Sequence, residues 1–193
     1  MTIDHFQNVY PRTIWDRDLT WIAGERPTPH EFFDYQVLLG FLASRAGLLR
    51  LGVGVTEPIR RHPVLIAQAM MTLSHLTKRA PILGIGAGER MNLGPYGLDS
   101  SEPVTRLEET LQIIRPCFSA PITFSGKHFQ LDAATMDLEA PRGRMPEIWI
   151  GLVSRRAALY AFRAIGRIAR SLPGRHRLMG HIDTTNAVLE RSR

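Results

Sequence analysis

Residues 83–99 read LGIGAGERMNLGPYGLD. A short apolar run carries three glycines, Gly84, Gly86 and Gly88, then turns polar at Glu89, Arg90 and Asn92. Such a run reads as a buried strand whose carboxyl end opens into a loop. The glycines invite a phosphate-cradle reading, and their spacing rejects it. A P-loop continues into Lys and Ser or Thr, where this chain has Glu89; a dinucleotide-binding turn needs G-x-G-x-x-G opening directly into a helix, and the spacing here is G-x-G-x-G followed by a loop. Two readings remain open. The glycines allow close backbone packing, or they form a flat surface against which a planar ring can lie, with a proton-exchanging carboxylate beside it.

The flanking segments place this strand in a repeating pattern. RLGVGVT (50–56) is a second buried strand, followed by a helix over 62–77 that opens at Pro63 and aligns Val64, Ala67, Met71 and Ser74. After the glycine strand, 101–118 forms an amphipathic helix with Val104, Leu107, Leu111 and Ile114 on one face. Residues 121–134 break the rhythm and predict a β-hairpin about Ser125 and Gly126. PEIWIGL (146–152) resumes as a strand, and 154–166 as its helix. Alternating strands and helices predict an α/β fold with a parallel sheet. Residues 16–30 are polar, contain two prolines, and read as a loop.

Composition narrows the function classes. The 193 residues are 44% hydrophobic, enough for one real core. No apolar stretch is long enough to predict a transmembrane helix, the first residues do not resemble a signal peptide, and Cys117 stands alone, so a cytoplasmic setting is expected. The net charge is +6, but residues 155–193 hold nine arginines against Asp183 and Glu190, a balance of +7 that leaves −1 for the first 154 residues. Basicity confined to one tail gives no reason to expect a nucleic-acid partner. A small-molecule substrate is the expected partner.

Parallel α/β folds carry their chemistry at the carboxyl ends of the strands. DHF (4–6), VGVTEP (53–58), GAGERMN (86–92) and GLVSR (151–155) all fall on that edge. His5 and Glu89 therefore share one rim and form a candidate proton-handling pair. His62, His75 and His128 read as structural, and Trp15, Trp21 and Trp149 as packing residues, with Trp15 near enough to line a pocket. His176, His181 and Asp183 match no common ligand spacing, so no metal site is predicted.

DHF, LGVGVTEPIRRHPVLIAQAMMTLSHLT, ILGIGAGERMNLGPYGLD, FSGKHFQLD and PEIWIG, in that order, resemble the luciferase-like monooxygenase superfamily, and within it the branch that uses coenzyme F420. That branch includes mycobacterial phthiodiolone ketoreductases and deazaflavin-type glucose-6-phosphate dehydrogenases. The resemblance covers roughly residues 3–152. It implies part of a TIM (β/α)8 barrel with an inserted hairpin and a deazaflavin at the C-terminal mouth. It further implies His5 and Glu89 as catalytic residues, with cofactor contacts at Asp4, Val55, Thr56, Ala87, Gly88, Asn92, Val153 and Ser154. The strand end at Val55 is expected to carry a bulge and a non-proline cis peptide. The implied activity is F420-dependent hydride transfer to or from a ketone or alcohol, FMN-dependent monooxygenation being the alternative. The resemblance also allows a homodimer.

Two departures set further expectations. Set against the resemblance, the chain is expected to begin at the family's second strand and to lack the later strands that supply the phosphate site. After 153 the family's glycine-rich turn is replaced by Val153, Ser154 and Arg155. Residues 1–153 are therefore expected to form the partial barrel. Residues 154–193 are expected to be an arginine-rich tail without a strand-like run, read out of frame, and the rival reading of the whole chain is an inactive truncated or frameshifted fragment.

Overall fold

The computed structural model of the protein describes residues 1–117, 121–152 and 176–180. Its centre is a parallel sheet of β1 (Gly52–Thr56), β2 (Ile82–Ile85), β5 (Glu147–Leu152) and β6 (His176–Gly180), in that spatial order. Beyond β1, Thr2 forms a parallel bridge to Val53, its N–H donating to the Gly52 carbonyl at 2.9 Å while its own carbonyl accepts from Gly54 N–H at 2.7 Å. The DHF segment therefore leaves the sheet edge at the same end as the loops after β1 and β2.

Among the described residues three helices share a core with the sheet. α2 (Pro63–Leu76) lies between α1 (Tyr35–Ala43) and α3 (Pro103–Cys117). The predicted stripes are buried except at Val64 and Val104, which are half-buried, and they are narrower than the real faces: α2 also buries Ile66, Met70 and Leu73, and α3 adds Ile113. These side chains meet Val53, Leu83, Ile85, Ile148 and Ile150 from the strands in one core. Apolar residues in long helices of an α/β fold cover a wider arc than a single heptad stripe, because they pack on a sheet and on neighbouring helices together.

The sequence reading does not name α1. Its start is nevertheless written locally: Asp34 Oδ1 accepts from Gln36 N–H at 2.9 Å and Val37 N–H at 3.1 Å, a side-chain cap on the first turn. The 16–30 segment is irregular as expected, apart from a single 3-10 turn at Trp21–Gly24. Trp21 is 78% exposed, so its packing role is not met. Trp15 instead holds this loop together, its indole N–H donating to the Arg26 carbonyl at 2.8 Å.

β3 (Ile122–Ser125) and β4 (Gln130–Ala134) form the predicted hairpin, with the turn just beyond the expected centre. The reason for the shift is Glu109 on α3. Its carboxylate accepts from Lys127 N–H (2.7 Å), His128 N–H (2.9 Å) and Phe129 N–H (3.2 Å), so the loop wraps around one buried anion. Gly126 lets the loop come this close: a Cβ there would lie 2.5 Å from Glu109 Oε2.

The tail departs from expectation. His176–Gly180 pairs in register with Ile148–Leu152, so the segment after 153 does supply a parallel strand. Sheet pairing is a backbone property, and the arginine and histidine flanks of HRLMG hid the strand from a composition-based reading. The helix predicted over 154–166 lies outside the described residues. Among the described residues no helix is long and apolar enough to cross a membrane.

Candidate active site

The mouth is built on three segments that meet at the carboxyl ends of the strands: 4–8, 53–61 and 86–92. In the first, Asp4 is 3% exposed and fully occupied. Its Oδ2 accepts from the Thr56 hydroxyl at 2.6 Å and from Arg61 at 2.9 Å, and its Oδ1 lies 3.3 Å from Arg60. Arg60 also donates to the Asp4 carbonyl and to Glu57 at 2.5 Å. Arg61 reaches on to Asp34, joining this buried cluster to the cap of α1. Burial pulls the Arg61 guanidinium down, but Asp4, Tyr35 and Asp34 together raise it above its ordinary value. Opposite charges are nearly matched across the cluster, the condition under which buried ions are tolerated.

The second segment carries an irregularity between Val53 and Thr56, with a cis peptide at Gly54–Val55, as the resemblance implies. Here the glycines receive their explanation. A Cβ on Gly84 would stand 3.1 Å from Val55 Cγ1, one on Gly86 3.4 Å from Cγ2, and one on Gly151 2.9 Å from Cγ1. Backbone packing constrains Gly84 still more, since the same Cβ would fall 2.4 Å from the Val53 carbonyl oxygen, so both close strand approach and the Val55 side chain call for glycine here. The surface expected to be bare thus has the half-buried Val55 isopropyl group lying against its glycines.

The third segment brings Glu89 to His5. His5 Nε2 stands 3.7 Å from Glu89 Oε2, with the side chains 25% and 39% exposed. The Phe32 ring meets the imidazole edge-on at 5.6 Å. Asn92, 2% exposed, sits behind the pair. Its Oδ1 accepts from Phe6 N–H (2.8 Å) and Gln7 N–H (2.9 Å), and its Nδ2 donates to Glu89 Oε2 at 3.2 Å. The Gln7 amide donates in turn to the Met91 carbonyl. Phe6 lies between the Arg60 guanidinium, 4.7 Å from its ring centre, and Tyr96, 4.4 Å away.

The predicted site residues thus separate into two groups. His5, Val55, Ala87, Gly88 and Glu89 are half-buried on the mouth, with Gly88 at a positive φ of 92° that frees the chain to turn toward Glu89. Asp4, Thr56 and Asn92 are buried and already hydrogen-bonded within the protein. Val153 and Ser154 lie outside the described residues. Sequence reasoning missed Gln7, Glu57, Arg60 and Arg61. The signal available was EPIRR (57–61), an acid and two arginines directly after a buried strand, where unpaired charges have no place. The three histidines read as structural behave so: His62 Nδ1 accepts from Val64 N–H at the start of α2 (3.3 Å), His75 bonds the Glu139 carbonyl (2.8 Å), and His128 lies 3.2 Å from Glu102.

The parallel sheet with its inserted hairpin agrees with a family match. The sequence model of the luciferase-like monooxygenase family covers residues 18–170. The chain belongs to the luciferase-like monooxygenase family. The family match passes the boundary expected at 153. A phthiodiolone/phenolphthiodiolone dimycocerosates ketoreductase of Mycobacterium sp. (strain JLS) is 39% identical over 171 residues, 86% of this chain and 44% of that protein. An F420-dependent glucose-6-phosphate dehydrogenase of Nakamurella multipartita is 35% identical over 136 residues, 68% of this chain and 38% of that protein. In fold the chain is similar to an F420-dependent secondary alcohol dehydrogenase in complex with an F420-acetone adduct, with a TM-score of 0.63, 23% identity, and coverage of 81% of this chain and 44% of that one. The chain spans less than half the length of these luciferase-like relatives. Its parallel strands are one arc of the luciferase-like TIM barrel, the architecture that the resemblance implies.

Proposed function

We propose that this chain carries the proton-handling half of an F420-dependent oxidoreductase acting on a ketone or its alcohol. The observation that carries the reading is the His5–Glu89 pair, 3.7 Å apart and part-exposed at the strand ends. Two proton-exchanging groups at this mouth suit a redox-active ring. The identities to an F420-dependent dehydrogenase and a ketoreductase support that choice of ring and of carbonyl chemistry.

The residues that would hold the cofactor are Val55, Ala87 and Gly88 on the open surface, with Val153 and Ser154 as further candidates. Asp4, Thr56 and Asn92 support that surface from behind. When bound, a deazaflavin supplies or accepts a hydride, two electrons at a time. A ketone that takes a hydride at carbon needs a proton at oxygen, and the reverse reaction needs that proton removed. His5 holds or receives that proton, its ring fixed by the Phe32 edge. Glu89 faces the imidazole across 3.7 Å, near enough to share in moving that proton.

Fluorescence titration of the purified chain with F420 and with FMN tests the reading. F420 binding in preference to FMN is expected. Tight FMN binding with none of F420 would overturn it in favour of the monooxygenase alternative, and binding of neither would favour the fragment reading.

A further inference from the structure

We propose that Asn92 is a positioning residue that locks the His5 segment and the Glu89 carboxylate into one unit. The inference rests on the proton-handling role given to that pair. Asn92 is 2% exposed, and its two amide atoms face in two directions. The oxygen takes both backbone N–H groups that follow His5, at 2.8 Å and 2.9 Å. The nitrogen donates to Glu89 Oε2, the same oxygen that stands 3.7 Å from His5 Nε2. One buried side chain thereby sets both ends of the pair.

The geometry suits an amide better than any other group. Two backbone N–H donors need an acceptor, and a carboxylate oxygen needs a donor. Aspartate at 92 would satisfy the first need and violate the second, placing two carboxylates at hydrogen-bond distance. The Gln7 side chain, donating to the Met91 carbonyl, braces the same two segments and leaves Asn92 to deal with Glu89. Other charges around the pair are paired or exposed. Asp4, Arg60 and Arg61 satisfy one another behind His5, Glu57 packs beside Gly88 and holds Arg60, and Arg90 is exposed. His30 accepts from Asn8 N–H at 3.0 Å on the far side of the segment.

The test is an NMR titration of the cofactor-free chain, following the Glu89 carboxyl carbon, the His5 imidazole and the Asn92 side-chain amide. In the unaltered protein the Asn92 amide protons are expected to move with the same midpoint as the Glu89 carboxyl. Asn92→Asp keeps the acceptor for Phe6 and Gln7, so the fold is retained, but it should raise the Glu89 midpoint by about one pH unit or more, because neighbouring carboxylates resist joint ionisation. The added charge alone accounts for that rise, so the coupled amide titration in the unaltered protein is the readout that a merely structural asparagine would not show. An Asn92 amide indifferent to Glu89 in the unaltered protein would overturn the proposal, whether or not the variant folds. So would an unmoved Glu89 midpoint in a folded Asn92→Asp chain. F420 titration is run separately, so a failure to bind the cofactor counts against the functional reading and leaves the Asn92 result to stand or fall alone.

Discussion

The mouth of the sheet and the root of the hairpin each hold a glutamate beside a glycine-bearing turn, and the two carboxylates differ in what they have left to offer. Glu109 is 7% exposed and accepts three backbone N–H groups from residues 127–129. Glu89 is 39% exposed at its side chain, accepts one N–H from Asn92, and faces His5 across 3.7 Å. One carboxylate is saturated and holds a loop in place. The other keeps open lone pairs toward a histidine and solvent, which is the condition for exchanging a proton. Residue type and a nearby glycine do not separate these roles; unused hydrogen-bonding capacity does.

The largest expected effect lies at the mouth. His5→Ala should lower turnover of a ketone with reduced F420 by about 10²–10⁴-fold, the range for loss of general acid–base help, with a much smaller change in F420 affinity. Steady-state kinetics beside a binding titration check it, and near-normal turnover would remove His5 from the mechanism.

At the hairpin the effect should appear in stability. Glu109→Ala strands three N–H groups and is expected to cost about 2–4 kcal/mol in urea unfolding. A loss below about half a kcal/mol would mean that the hairpin does not depend on this anion, and the contrast between the two glutamates would lose one side.

The smallest effect concerns the cap of α1, linked to the mouth through Arg61. Asp34→Ala should cost about 1 kcal/mol. Burial raises the Asp34 carboxyl, but the Val37 N–H, Arg61 and the Gln36 N–H outweigh it and hold it below its ordinary value of 3.8. Its contribution is therefore complete above that ordinary value and disappears as the pH falls through the lowered one. Urea midpoints measured across this acid range should fall more steeply for the unaltered chain than for Asp34→Asn. Parallel slopes would detach the cap from the acid response.

Strands β1, β2 and β5, α2, α3 and the hairpin were legible because each is written in a local pattern: glycine-containing apolar runs, Pro63 and Pro103 at helix starts, alternation about Gly126. The His5–Glu89 pair was legible because strand ends converge in parallel α/β folds. What escaped was contact between distant segments. No local pattern says that Val55 lies against Gly84 and Gly151, or that Glu109 reaches a loop 18 residues further along the chain. The buried charge cluster escaped for the same reason, since Asp4 and Arg61 meet only after the sheet forms. Strand β6 escaped because its pairing lies in the backbone and its flanks are basic.

The most direct test sets Glu89→Gln beside Glu109→Gln in one assay of ketone reduction by reduced F420, at a temperature where both chains are folded. Glu89→Gln should bind F420 as the unaltered protein does and lose about 10²-fold or more in turnover. Glu109→Gln should turn over almost normally while unfolding at lower urea. Normal turnover in Glu89→Gln, or an equal loss in both variants, would contradict the claim that the carboxylate with open capacity is the one that handles the proton.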